Sequence, residues 1–126
     1  MYCKEQEQAL ELRRSFGIDV LSPIEDMFDL LKKQNITIIK KKITTSQISG
    51  LCSKHENNVE TIMINTTYSL GRQYFTLAHE LYHLKFDENM SKYEYEKEQM
   101  ANLFASYFIV PESALNQQLY HRGIKK

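Results

Sequence analysis

The stretch FTLAHELYHL, residues 75–84, is the most informative part of the sequence, because two histidines and a glutamate interrupt a run of apolar side chains there. A helical wheel over residues 72–86 places one apolar stripe on Tyr74, Leu77, Leu81 and Leu84. Such a stripe predicts a helix packed on a core. His79 and His83 fall on another side, which also carries aromatic side chains. Because unpartnered burial of polar groups costs several kcal/mol, both imidazoles must be paired or coordinated.

The spacing of His79, Glu80 and His83 suits the binding of a metal ion. Residues i and i+4 project from the same face of a helix, so two imidazole nitrogens can bind one tetrahedral ion. Glu80 lies beside that face, where it could accept a proton from a water next to the metal. This is the H-E-x-x-H pattern of zinc hydrolases. The alternatives are two core histidines hydrogen-bonded without a metal, and a closed structural zinc site, which usually adds cysteines.

A third ligand is available on a helix predicted over residues 91–110. A catalytic zinc site uses three protein ligands and keeps one position open for water. On a helical wheel of this segment, one side carries Glu94, Glu98, Ala101, Asn102 and Ala105. The two small alanines would let this helix approach the histidine helix, which favours Glu98 as the ligand; Glu94 lies nearer the helix start. Asn102 could orient a ligand by a hydrogen bond.

Composition sets the class of protein. The 126 residues suffice for a single domain, residues 1–126, with its own core. The 16 basic and 16 acidic residues balance, which argues against direct binding of nucleic acid or of a membrane surface. The charged start has no signal peptide, and no stretch has the length of a membrane span, so we expect a cytoplasmic protein. In that compartment Cys3 and Cys52 would remain thiols.

The order of elements predicts one α+β domain. Ser22, Pro23 and Glu25 form a capping-box signature, which predicts a helix from Ser22 to about Gln34. An earlier helix over residues 3–15 should end near Gly17. Strands are expected within residues 36–43, 47–53 and 60–65, with a hairpin turn over residues 54–58 that exposes His55. The lysines at 40–42 suit a solvated strand edge. Further helices are predicted over residues 70–86, 91–110 and 112–121.

Four blocks give the chain a resemblance to a known family. They are SGL at 49–51, IMIN at 62–65, RQYFTLAHELYHL at 72–84 and EQMANLFASYFIVP at 98–111. In this order they resemble the ImmA/IrrE-type metallopeptidases of bacteria and their mobile elements. The resemblance implies that His79, His83 and Glu98 are zinc ligands and that Glu80 is the general base. Tyr82 stands where the family usually has glycine, so we expect changed packing there and an intact ligand set.

The resemblance also implies a fold and a role. The fold would be a minimal zincin-like one, with a small twisted sheet and a β-hairpin packed on active-site helices. The activity would be that of an endopeptidase with one Zn²⁺ per chain, although Mn or Fe could occupy the same ligands. The substrate would be a helix-turn-helix repressor of the XRE type, cleaved to relieve repression of a prophage, a mobile element or a stress regulon. The alternatives are a non-cleaving antirepressor and a toxin–antitoxin binding module, each with a structural metal.

Several further residues are candidates for contact with a substrate. A free sheet edge, from residues 47–53 or 60–65, could align an extended peptide by strand addition. Arg72 lies on the histidine side of its helix, where it could pair with substrate or with a neighbouring carboxylate. Candidates for stabilising an oxyanion are Tyr68, Tyr95 and His121.

Overall fold

The structure is a computed structural model that describes residues 3–19, 22–86 and 94–109. The described residues form the helices α1 (Lys4–Ser15), α2 (Met27–Lys33), α3 (Leu70–Phe86) and α4 (Glu94–Ile109). They also form the strands β1 (Ile36–Lys41), β2 (Gly50–Lys54) and β3 (Glu60–Asn65). The α+β prediction is confirmed. The helix predicted over residues 112–121 lies outside the described residues, as do the first residues of the one predicted from 91.

The three strands form one sheet in the order β1-β3-β2. β2 and β3 pair antiparallel, from Gly50 opposite Ile64 to Lys54 opposite Glu60, so the predicted hairpin is confirmed. β1 pairs with β3 in parallel, with Ile36 opposite Glu60. Both edges of β3 are therefore used, and the expectation that residues 60–65 could offer a free edge is wrong. The strand with buried Ile62 and Ile64 takes the centre, where helices cover its apolar face.

Helices α2 and α3 pack on the sheet, and the other two helices pack on helices. α3 contacts β2, β3 and α4, and α1 contacts α4. The fully buried apolar side chains come from all these layers and include Ala9, Met27, Leu31, Ile62, Ile64, Leu77, Leu81, Phe104 and Phe108. The exposed lysines at 40–42 lie at the end of the outer strand β1, as expected for a strand edge. α3 and α4 therefore face each other on a rigid support.

The start of α2 differs from the sequence prediction. The helix begins at Met27, not at Ser22, and its N-cap is Asp26, whose carboxylate accepts a hydrogen bond from the Asp29 amide at 3.1 Å. Residues 22–26 are held by other contacts. The Ser22 carbonyl accepts a hydrogen bond from Arg13, and the Ile24 amide donates to the Ile109 carbonyl. Tertiary bonds to α1 and α4 thus outweigh the local capping signal.

Arg13 joins three parts of the chain from the core. Its side chain is fully buried and donates to the carbonyl of Phe108 at 2.7 Å, near the end of α4. It also donates to the carbonyls of Asp19 and Ser22. Burial lowers the pKa of the guanidinium, and the nearby Asp19 charge acts against this. Arg13 therefore fixes α1 and the segment before α2 to the end of the helix that carries Glu98.

The structure also bears on the cysteines and on membrane-spanning segments. Cys3 and Cys52 are both free thiols. None of the helices in the described ranges combines the length and the apolar character that crossing a bilayer requires.

The Arg13 contacts give a prediction about stability. Arg13→Met should lower the free energy of unfolding by about 3 kcal/mol, because buried carbonyls lose their donor. The matched control is Arg14→Met, which removes the same charge from the exposed side of α1 and should change stability by no more than about 0.5 kcal/mol. Urea unfolding of the purified variants measures both values. Equal effects of the two substitutions would contradict the structural role of Arg13.

Candidate metal centre

Helix α3 places His79 and His83 at the border between core and solvent. It begins after Ser69, whose hydroxyl accepts a hydrogen bond from the Arg72 amide at 3.2 Å, a bond typical of an N-cap. The predicted stripe is buried at Leu77, Leu81 and Leu84, and Tyr74 is half-buried. The side chains of His79 and His83 are each 14% exposed. Packing therefore holds both rings while leaving one side open to the solvent.

Helix α4 brings the third donor to the histidines. Ala101 and Ala105 are fully buried, as are Phe104 and Phe108 on the same face. The small alanine side chains allow the close contact of α3 and α4 that the sequence predicts. Glu98, one turn before Ala101 and Asn102, reaches His83, while Glu94 lies exposed at the start of the helix.

The donor atoms of the three residues converge. Glu98 Oε2 lies 2.6 Å from His83 Nε2 and 3.3 Å from His79 Nε2, and the two nitrogens are 3.3 Å apart. A triangle with these sides has a circumscribed radius of about 1.8 Å, shorter than the roughly 2.0–2.1 Å of a Zn–N bond. The three atoms would therefore suit one metal ion at normal bond lengths. His79, His83 and Glu98 form a group able to hold a metal ion.

Asn102 determines which nitrogen of His79 is free to bind a metal. Its Oδ1 lies 2.8 Å from His79 Nδ1 and can only accept a hydrogen bond, so Nδ1 carries the proton. The other nitrogen, Nε2, then keeps its lone pair toward His83 and Glu98. Metal-binding histidines commonly donate their second N–H to an oxygen in this way. The orienting contact expected of Asn102 is present.

Glu80 lies on the same cleft as two of the three donors, His79 and Glu98. The cleft has a volume of about 530 Å³, and its walls include His79, Glu80, Glu98 and Asn102. Glu80 is half-buried and comes from the same helical turn as His79. A carboxylate in this place can exchange protons with a water molecule or a substrate in the cleft. Two of the donors and a potential base thus line one solvent-accessible space.

The sheet supplies walls of the cleft that sequence patterns did not indicate. Ser49 and Gly50 line it at the start of β2, opposite Phe75 and Thr76 of α3. A Cβ atom on Gly50 would lie 2.7 Å from the Met63 carbonyl oxygen and 2.8 Å from Thr76 Cγ2. Only glycine allows this close approach of β2 to α3. Its place in the SGL block was the available signal, but spacing alone does not reveal a tertiary contact.

The other candidate residues have different positions. Arg72 lines the cleft and donates a hydrogen bond to Ser49 Oγ at 2.9 Å. The Tyr68 hydroxyl donates to the Gln47 carbonyl, so its proton is already used. Tyr95 is 73% exposed in the first turn of α4, and His55 is exposed in the hairpin turn as expected. His121 lies outside the described residues.

The converging donors give a prediction about metal binding. The purified chain should bind one Zn²⁺, and His83→Ala or Glu98→Ala should lower the affinity at least about 100-fold, because two donors hold zinc poorly. His55→Ala and Glu96→Gln remove similar groups from exposed positions and should leave the affinity unchanged. Competition with a chromophoric chelator measures the affinities. A centre that is not metal-binding would give no difference between the two pairs of variants.

The contact of Asn102 with His79 gives a second prediction. Asn102→Ala should weaken zinc binding by about 10- to 100-fold, because His79 then loses the acceptor that fixes its tautomer and ring orientation. Asn102→Asp keeps an acceptor oxygen and should retain most of the affinity. The same chelator competition reports both values, and an undiminished affinity in Asn102→Ala would contradict the orienting role.

Comparison with known proteins identifies the family. The sequence model of the peptidase M78 family, described as the IrrE N-terminal-like domain, matches residues 31–125. Among solved structures, a Mycobacterium tuberculosis transcriptional regulator is similar in fold, with a TM-score of 0.66 at 12% sequence identity. That match covers 95% of this chain and 48% of the regulator, so the chain spans about half of its length. No curated protein matches the sequence. The match over most of the chain shows that it belongs to the peptidase M78 family, as an IrrE N-terminal-like domain.

Proposed function

We propose that the protein is a zinc-dependent endopeptidase in which His79, His83 and Glu98 hold the metal and Glu80 is the general base. The observation that carries this proposal is the convergence of three donor atoms within 2.6–3.3 Å beside a fourth group suited to proton transfer. Membership of a peptidase family supports it. A purely structural metal would have no use for a carboxylate on the wall of the cleft.

The residues of the cleft divide the chemistry among them. Zinc in a site of two histidines and one carboxylate supplies Lewis-acid chemistry, which makes water a nucleophile near neutral pH and polarises a carbonyl group. Glu80 takes the proton of the attacking water and passes it to the leaving amine. Asn102 keeps the lone pair of His79 Nε2 available for the metal. The buried alanines of α4 keep Glu98 within reach of both histidines.

The substrate is proposed to bind along the free edge of β2. Among the described residues β2 pairs with β3 alone, so its outer edge has backbone groups available for another strand. The start of this edge, at Ser49 and Gly50, lines the cleft that also contains His79 and Glu80. An extended peptide added to β2 would pass the metal centre in one defined register. This geometry favours cleavage within an extended segment of a protein.

We propose a helix-turn-helix repressor of the XRE type as the protein substrate. The resemblance to ImmA/IrrE-type peptidases supports this choice. The occurrence of a similar fold in a protein described as a transcriptional regulator gives a further reason to search among DNA-binding regulators. Cleavage would relieve repression of a mobile element, a prophage or a stress regulon. The balance of 16 basic and 16 acidic residues suits a protein that acts on the repressor and not on DNA.

The assignment of Glu80 gives a prediction about cleavage. Glu80→Gln should retain zinc and lower the rate of repressor cleavage at least about 100-fold, because the general base is lost while the metal ligands remain. Glu56→Gln, in the exposed hairpin turn, is the matched control and should cleave at the wild-type rate. The measurement combines metal content with intact-mass analysis of a repressor co-expressed with each variant.

The same experiment separates cleavage from simple binding. If Glu80→Gln relieves repression as well as the wild type and no repressor fragments form, the protein is a non-cleaving antirepressor. If zinc is absent from the wild type even after reconstitution, the metallopeptidase proposal is wrong, and His79 and His83 are core residues paired with Glu98.

A further inference from the structure

We propose that Arg72 binds a carboxylate of the substrate peptide about three residues from the scissile bond and so determines specificity. The inference rests on the proposed peptidase function, because it assigns a role on the same cleft. Arg72 lines that cleft on α3, two helical turns before His79. It lies on the wall formed by Ser49 and Gly50, where the free edge of β2 begins.

The guanidinium of Arg72 is held in place by neutral groups. Its Nη2 donates to Ser49 Oγ at 2.9 Å, and the guanidinium carbon lies 4.1 Å from the centre of the Tyr68 ring. Tyr68 is itself fixed, because its hydroxyl donates to the Gln47 carbonyl. The planar group thus stacks on an anchored ring. A cation held in this way loses little conformational entropy when it binds a ligand.

Among the residues that the structure describes, Arg72 forms no ion pair. No carboxylate oxygen of these residues lies within 4.0 Å of its side-chain nitrogens. The hydrogen bond to Ser49 occupies one of the five N–H donors of the guanidinium. The remaining donors can form the paired, parallel bonds by which arginine recognises a carboxylate. An exposed, oriented guanidinium that no carboxylate of the described residues neutralises therefore has the chemistry of a carboxylate site.

The position of Arg72 sets the distance from the bond that is cut. Arg72 lies seven positions before His79, which corresponds to about 10.5 Å along a helix. An extended peptide advances about 3.3 Å per residue, so Arg72 lies about three residues from the position opposite the metal centre. The carboxylate could belong to an Asp or Glu side chain within the substrate or to its chain terminus. Both sources offer the same paired oxygens, and the experiment must distinguish them.

The test uses a randomised library of dodecapeptides blocked by acetyl and amide groups at their ends. The zinc-loaded wild type is compared with Arg72→Gln, Arg72→Lys and the control Arg14→Gln, an exposed arginine of α1 that does not line the cleft. Mass spectrometry identifies the cut sites, and kcat/KM is then measured for matched peptides that carry Glu or Gln at the selected position. A second library with free C-termini tests recognition of the chain terminus.

Binding is measured separately from cleavage. Zinc-loaded Glu80→Gln, alone and combined with Arg72→Gln, is titrated with fluorescent dodecapeptides of the Glu and Gln pair, and anisotropy gives the dissociation constants. Glu80→Gln is chosen because it should bind peptides without cutting them.

The proposal expects Asp or Glu to be enriched about three residues from the cut. Arg72→Gln should lower kcat/KM for the Glu peptide roughly 10- to 100-fold and leave the Gln peptide nearly unchanged, the size expected for a lost charged hydrogen bond. Arg72→Lys should keep part of the preference, and Arg14→Gln all of it. The binding constants should show the same pattern. A preference confined to peptides with free C-termini would assign the carboxylate to the chain terminus.

Other results overturn the proposal. An equal loss on both peptides in Arg72→Gln would show a structural role, and cleavage without an acidic preference would reject the carboxylate site while leaving the peptidase intact. If no peptide or repressor is cut, the proposed function fails. The anisotropy titrations then test the role of Arg72 separately. Equal dissociation constants for the Glu and the Gln peptide would reject the carboxylate site.

Discussion

The close packing of α4 on α3 is the constraint on which the rest of the molecule depends. A metal centre needs its donor atoms placed within a few tenths of an ångström, and here one donor comes from a different helix than the other two. Ala101 and Ala105 set the separation of the helices, because larger side chains would push Glu98 away from His83. Arg13 and the Ile24–Ile109 bond hold the far end of α4. The site is therefore an outcome of core packing.

An aromatic cluster supports the back of the site and explains an unusual residue. Tyr82, which stands where the ImmA/IrrE-type proteins usually have glycine, is only 3% exposed. Its ring lies 5.5 Å from that of Phe104 and 5.7 Å from that of Phe86, between centres, and 5.9 Å from the ring of His83. The extra volume of the tyrosine ring is thus taken up by packing among aromatic side chains. The departure from the family pattern leaves the donor set complete.

Sequence patterns predicted what depends on local spacing and missed what depends on distant partners. The strand over residues 60–65 and the end of α1 just before Gly17 follow from local propensities. Glu98 was preferred over Glu94 because small alanines follow it along the same side of the helix, whereas Glu94 lies near the helix start. No local signal separates buried Arg13 from its exposed neighbour Arg14. Ser22 carried a good capping signal that tertiary hydrogen bonds overrode. The central place of β3 likewise depends on its pairing with two strands.

The exposure of Glu98 bears on both the stability and the chemistry of the site. Two imidazole nitrogens and a carboxylate oxygen within 2.6–3.3 Å are all potential acceptors, so a ring N–H or a metal ion must lie among them. The fold limits the cost by leaving the Glu98 side chain 50% exposed while packing holds the histidines. Solvation lowers the penalty of the carboxylate, and the same opening would admit water and a peptide under the proposed function. The exposure that makes the cluster tolerable is thus also the exposure that the proposed hydrolysis would require.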